Sequence, residues 1–141
     1  MLFAKRQRVI NRILIVEDEP LVAFDNEHFL RDKGFEVVAT VDSVADALRE
    51  VTEQEIDLIL ADVRLSDGNG VEVAEAAHGK GVPVLFVTAL CPVEAQALAI
   101  GCLAKPYSQR ELIEALDAID ATLDGRRPKR MPKGLSLYGG N

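Results

Sequence analysis

Hydrophobic positions along this chain gather into short, mostly apolar runs at fairly even spacing: Ile13–Val16, Val37–Val41, Leu58–Ala61, Val84–Val87 and Cys102–Ala104. Runs of this length that stay apolar at nearly every position predict strands buried on both faces. Between and after them the apolar residues recur at helical spacing, most clearly Val44, Ala47, Leu48 and Val51, and then Leu112, Leu116, Ile119 and Leu123. The pattern therefore predicts five alternations of strand and helix.

Local chemistry marks the helix ends. Ser108 and Glu111 form the S-x-x-E capping box that satisfies two orphan amides at the start of the last helix. Ser43 is placed to cap the second helix, Pro20 fits a first helical turn, and Gly34 fits a left-handed stop, so the first helix is predicted from about Pro20 to Lys33. Continuous apolar strands joined by helical crossovers imply a parallel sheet covered on both faces with right-handed connections, that is, a doubly wound α/β domain. The 141 residues fit one such domain over 12–123, with a polar leader at 1–11 and a basic, flexible tail at 124–141.

Charge narrows the functions available. The net charge is −7, yet Arg126, Arg127, Lys129, Arg130 and Lys133 all lie in the tail, which holds no acid after Gly125. The folded part is thus strongly acidic, which disfavours nucleic-acid binding by the domain itself. No apolar run is long enough to span a bilayer or to act as a secretion signal, so membrane insertion is not expected and a cytoplasmic location is. Cys91 and Cys102 are too few for a disulfide framework or metal cluster, and each is expected to be a small core residue in a reducing compartment. His28 and His78 lack metal-ligand spacing.

In open parallel sheets, ligands bind beyond the carboxyl ends of the strands. The first predicted strand is followed there by Glu17, Asp18 and Glu19, the third by Asp62, the fourth by Thr88 and the last by Lys105. Acids crowded on one rim repel each other unless a cation offsets them, and Mg²⁺, which takes one or two carboxylates and shares its other positions with phosphate oxygens, is the natural ion. Asp18 and Asp62 are its expected ligands, with Glu17 supporting them from behind. Asp62 is then a candidate phosphoryl nucleophile, with Lys105 and Thr88 to stabilise the transferred charge.

The segments Ile13–Pro20, Leu58–Val63, Gly68–Gly70, Val87–Ala89 and Lys105–Tyr107 together resemble response-regulator receiver domains of two-component signalling. The resemblance implies a flavodoxin-like strand order 2-1-3-4-5 and phosphorylation of Asp62 by a sensor histidine kinase or histidine phosphotransfer protein. It also implies Mg²⁺ held by Asp18, Asp62 and the carbonyl of Arg64, movement of Thr88 toward the phosphoryl group, and a cis Lys105–Pro106 bond. Such a module catalyses its own phosphorylation and dephosphorylation and has no external turnover substrate.

Two features depart from that family. Thr88 and Lys105 are only 17 positions apart, which predicts a short fourth helix with Val93, Ala97 and Ile100 on its buried stripe. Cys102 stands three residues before Lys105, where receivers usually carry the Tyr or Phe of their switch. The sequence predicts a stand-alone receiver acting as relay, phosphate sink or partner-binding switch. The alternatives are a phosphorylation-independent adaptor of the same fold and a phosphatase using Asp62, which the absence of a second acid in Asp62-Val63-Arg64 disfavours.

Overall fold

A computed structural model describes residues 8–138. Its central sheet is made of β1 (Arg12–Val16), β2 (Glu36–Val41), β3 (Leu58–Ala61), β4 (Val84–Thr88), β5 (Gly101–Ala104) and β6 (Leu135–Leu137), in the order 2-1-3-4-5-6. The first five strands are parallel, as expected. The helices are α1 (Pro20–Asp32), α2 (Val44–Glu53), α3 (Gly70–Gly79) and α4 (Gln109–Leu123).

Side chains alternate across the sheet, and both faces are buried. Ile13, Ile15, Leu58, Leu60, Leu85, Val87 and Leu103 pack beneath α1 and α4 with Leu30, Leu112, Leu116 and Ile119. Leu14, Val16, Ile59, Ala61, Val84 and Phe86 face the other way and pack with Val44, Ala47 and Val51 of α2 and Val73, Ala74 and Ala77 of α3. This double covering is why the strands read as continuous apolar runs. The helix ends follow their predicted chemistry: Ser43 Oγ accepts from the Asp46 amide, Ser108 and Glu111 close a capping box, and Gly34 sits at φ 92° just beyond α1. The Lys105–Pro106 peptide is cis.

Three expectations are corrected. The fourth connection forms no α-helix; it is a single 3-10 segment over Val93–Ala97, and its buried residues are Ala95 and Ala99, while Val93 is 78% exposed. Ala97 is exposed as well. With so few residues between β4 and β5, the small alanines are the ones fully buried, Leu98 and Ile100 pack half-buried against the cores, and Val93 is turned outward. Secondly, Cys91 and Cys102 are not independent core thiols but are joined in a disulfide with their Cα atoms 6.2 Å apart.

The third correction concerns the chain ends. Residues 135–137, placed by sequence in a flexible tail, form β6 antiparallel to β5. A three-residue strand among Pro, Gly and basic residues carries too little periodicity to read, but Leu135 is buried among the residues under α4. Gly101 makes the pairing possible, because a Cβ there would lie 2.6 Å from the Ser136 carbonyl oxygen. At the other end of the domain, the segment before β1 is also held: Ile10 is buried, and Asp120 of α4 accepts from the amides of Val9 and Ile10 at 2.8 and 2.9 Å. Residues 1–7 of the expected leader and the last three residues of the expected tail lie outside the described residues.

Asp120 also receives Arg126 Nη2 at 3.3 Å, so one buried carboxylate pins the segment entering β1 and the segment leaving α4. Asp120→Ala would leave two amides and a guanidinium without this acceptor. It is expected to lower unfolding free energy by about 2–4 kcal/mol in urea titrations, whereas an ordinary exposed acid such as Glu75 replaced by Ala should cost under about 0.5 kcal/mol.

Candidate phosphoacceptor site

Sheet geometry brings the candidate residues to one rim. Glu17 follows β1 and donates its amide to the Val41 carbonyl at 2.9 Å; Asp62 follows β3 and donates its amide to the Val16 carbonyl at 3.0 Å. Thr88 closes β4, and its carbonyl accepts from the Lys105 amide at 2.8 Å. Backbone ladders therefore extend one residue past the strands and fix where these side chains start.

Behind Asp62 the backbone is tightly packed. Arg64–Leu65 pairs antiparallel with Gly68–Asn69, and Asn69 then caps α3 in a capping box with Glu72. The Gly68-Asn69-Gly70 segment is thus a turn and helix start. Gly70 donates its amide to the Val63 carbonyl at 2.6 Å, and an added Cβ would overlap the Asp62 carbonyl oxygen. Only glycine lets α3 begin this close to the candidate nucleophile.

The side chains converge as the sequence requires. Lys105 Nζ lies 2.9 Å from Asp62 Oδ2 and 3.4 Å from Glu17 Oε1. Glu17, Asp18 and Asp62 each offer a carboxylate oxygen, and these atoms lie within 4.8 Å of one another. Asp62 Oδ1 accepts from the Arg64 amide at 3.2 Å, and Glu17 Oε2 accepts from the Glu19 amide at 3.1 Å. Glu17, Asp62 and Thr88 are buried, and Asp18 is half-buried. An open cleft of about 730 Å³ is lined by Asp18, Asp62, Arg64, Thr88, Cys91 and Lys105 among others. Thr88 Oγ1 points to the Leu90 carbonyl at 3.4 Å, longer than an ordinary hydroxyl hydrogen bond.

Electrostatics match this crowding. Burial lifts the Glu17 carboxyl above its ordinary value, with the nearby Asp62 charge adding to the rise and the Glu19 amide and Lys105 opposing it. For Lys105, burial works against the ammonium, but the hydrogen bond to Asp62 and the charges of Glu17 and Asp62 outweigh it, so its pKa rises. One ammonium cannot offset three carboxylates, and the remaining deficit is close to the charge of a divalent cation.

Two contacts were missed from sequence. Tyr107 Oη accepts from the amide nitrogen of buried Asn26 at 3.1 Å, tying α1 to the segment after Lys105, and burial raises the Tyr107 pKa. One polar residue among several in α1, whose partner lies 81 positions away, gives no cue for this. The Cys91–Cys102 link was likewise unreadable from two cysteines without topology. No helix among the described residues is long and apolar enough to cross a membrane.

Comparison with known proteins agrees with this geometry. The family model for the response regulator receiver domain matches residues 13–117, and the chain belongs to that family of two-component signalling modules. It is 31% identical over 111 residues to the sensory transduction protein LytT of Bacillus cereus, covering 74% of this chain and 45% of that protein. It is also 31% identical over 115 residues to the transcriptional regulatory protein PdtaR of Mycobacterium tuberculosis, covering 77% of this chain and 56% of that one. The chain thus spans about half the length of these curated relatives.

Among solved structures, the receiver domain of the sensor histidine kinase PA1611 from Pseudomonas aeruginosa, which carries a magnesium ion in its active-site cleft, superposes with a TM-score of 0.67 at 29% identity, covering 76% of this chain and 94% of that one. A CheY-like receiver protein of Methanospirillum hungatei gives 0.71 at 28% identity, covering 82% and 95%.

The raised Glu17 pKa has a defined sign. The folded state holds this proton more tightly than the unfolded chain, so the group's contribution to stability is complete below its ordinary value of 4.5 and is lost as pH rises through the folded value. In metal-free buffer, Glu17→Gln should therefore differ little from wild type near pH 4 and gain in thermal midpoint relative to it at pH 8. Melts showing the same difference at both pH values would contradict this.

Proposed function

We propose that this receiver accepts a phosphoryl group on Asp62 from the phosphohistidine of a sensor kinase or histidine phosphotransfer protein. The observation that carries the reading is Lys105 Nζ at 2.9 Å from Asp62 Oδ2, with Thr88 on the neighbouring strand end and the acids Glu17 and Asp18 beside them. A merely structural acid or cation would need a separate reason for each residue to meet on one rim.

In the proposed reaction a carboxylate oxygen of Asp62 attacks phosphorus, the P–N bond to the donor histidine breaks, and the imidazole leaves with the bonding electron pair and takes up a proton. Lys105, paired with Asp62 beforehand, stays to offset charge on the transferred oxygens. Thr88 exchanges its long contact with the Leu90 carbonyl for a phosphoryl oxygen. Arg64 contributes its amide to Asp62, which keeps one carboxylate oxygen oriented. Hydrolysis of the acyl phosphate returns Asp62 to its starting state.

The donor set suits Mg²⁺: all oxygens, closely grouped, with one lysine charge against three acids. Asp18, Asp62 and the Arg64 carbonyl are proposed to hold it, with Glu17 orienting the group through its contacts to Lys105 and the Glu19 amide. When bound, the ion would offset negative charge on the phosphoryl oxygens.

Incubation with acetyl phosphate and MgCl₂ should add one phosphoryl group by intact-mass spectrometry, and chelation with EDTA should prevent it. Asp62→Asn should remain unmodified, and Lys105→Gln should slow the reaction by about 100-fold. Full labelling of Asp62→Asn would place the acceptor elsewhere.

Replacing Gly70 probes the support behind the nucleophile. Gly70→Ala is expected to cost about 1–3 kcal/mol of stability in urea titrations and to lower the phosphorylation rate as well, because the overlap falls on the Asp62 backbone.

A further inference from the structure

The disulfide joins the loop that follows Thr88 to β5, the strand that leads into Lys105. Cys91 lies three residues past Thr88, in the loop that lines the cleft. Cys102 lies within β5, three residues before Lys105, where it pairs with Phe86 of β4 on one side and Ser136 of β6 on the other. The first half of the loop has few other anchors: Leu90 and Val93 are 83% and 78% exposed, and the side chains that pack inward, buried Ala95 and Ala99 and half-buried Leu98 and Ile100, come later, toward β5. The covalent link is the strongest restraint on a segment whose Leu90 carbonyl engages the Thr88 hydroxyl.

The two sulfurs differ in access. Cys102 is fully enclosed, whereas Cys91 is half-buried at the cleft wall. Thiol–disulfide exchange needs a thiolate to reach a sulfur, so the accessible one sets the course.

We propose that Cys91–Cys102 is a thiol–disulfide exchange site, served by a dithiol reductant, that governs how readily Asp62 accepts phosphoryl groups; this rests on the phosphoacceptor reading above. One thiolate of the reductant attacks Cys91 Sγ, the Cys91–Cys102 bond breaks, and Cys102 leaves as a thiolate that takes up a proton. The second thiolate of the reductant then attacks its own sulfur in the mixed disulfide and releases Cys91, which is also protonated. The reductant becomes a disulfide, and two electrons and two protons end on the cysteine pair. Once the tether is open, the Leu90 carbonyl can withdraw and Thr88 can turn toward the phosphoryl group. The oxidised protein is the slow acceptor and the reduced protein the fast one.

The test measures acetyl phosphate labelling, with MgCl₂, of the full chain in oxidised form and after dithiothreitol. Intact mass should first show a gain of two hydrogens under native conditions, and iodoacetamide should then label Cys91 ahead of Cys102. The labelling rate should rise by up to about tenfold on reduction, the scale of one hydrogen-bonded restraint released. Cys91→Ser, a change at the half-buried partner, should match the reduced rate with or without dithiothreitol, provided its circular dichroism matches wild type. Cys91→Ala serves as the second variant if it does not. Resistance of the disulfide to dithiothreitol in the folded protein overturns the exchange site. Equal labelling rates in both forms overturn the gating while leaving Asp62 as acceptor. Failure of both forms to label overturns the acceptor reading and the gating with it.

Discussion

The ion pair between Lys105 and Asp62 is the interaction on which the rim of this protein depends. Three carboxylates within 4.8 Å of one another would repel strongly in a partly buried setting, and the sheet alone gives no reason for them to stay together. Lys105 reaches two of them from the end of β5, at 2.9 and 3.4 Å. Its own burial is unfavourable to the ammonium, yet the nearby acids outweigh that cost. One ammonium against three carboxylates leaves the rim short of positive charge, which makes it receptive to a cation.

Everything beneath the rim serves to place those groups. Alternating side chains bury both faces of the sheet, so strand positions are set by two cores at once. The ladder then carries Glu17, Asp62 and Thr88 just beyond that core. Gly70 lets α3 start against Asp62, and the Asn26–Tyr107 hydrogen bond holds the segment after Lys105 to α1. Where the fold is thinnest, between β4 and β5, a 3-10 segment with small buried residues takes the place of a helix, and a disulfide closes the gap. Cys102, which stands where the resemblance leads one to expect an aromatic ring, fastens the loop that follows β4.

The strands, the helix caps and the meeting of Asp18, Asp62, Thr88 and Lys105 were legible in the sequence because each depends on local pattern or on the rule that strand ends share one rim. What escaped reading depends on contacts between distant segments. β6 has only Leu135 and Leu137 to announce it, and Asp120 gives no sign in sequence that its partners lie at Val9 and Ile10. The expected stripe of Val93, Ala97 and Ile100 assumed a helical period that the short connection cannot complete. Sequence shows only the number and setting of the cysteines, whereas their pairing follows from β5 lying beside β4, which places Cys102 near the loop after Thr88.

The most direct measurement of the central ion pair is an NMR titration of the Lys105 ammonium in metal-free protein, following its side-chain carbon and nitrogen shifts through alkaline pH. The Lys105 pKa should lie above that of an ordinary lysine and fall back when Asp62 is replaced by Asn. A Lys105 that titrates like an ordinary lysine, and does so equally in both proteins, would contradict this.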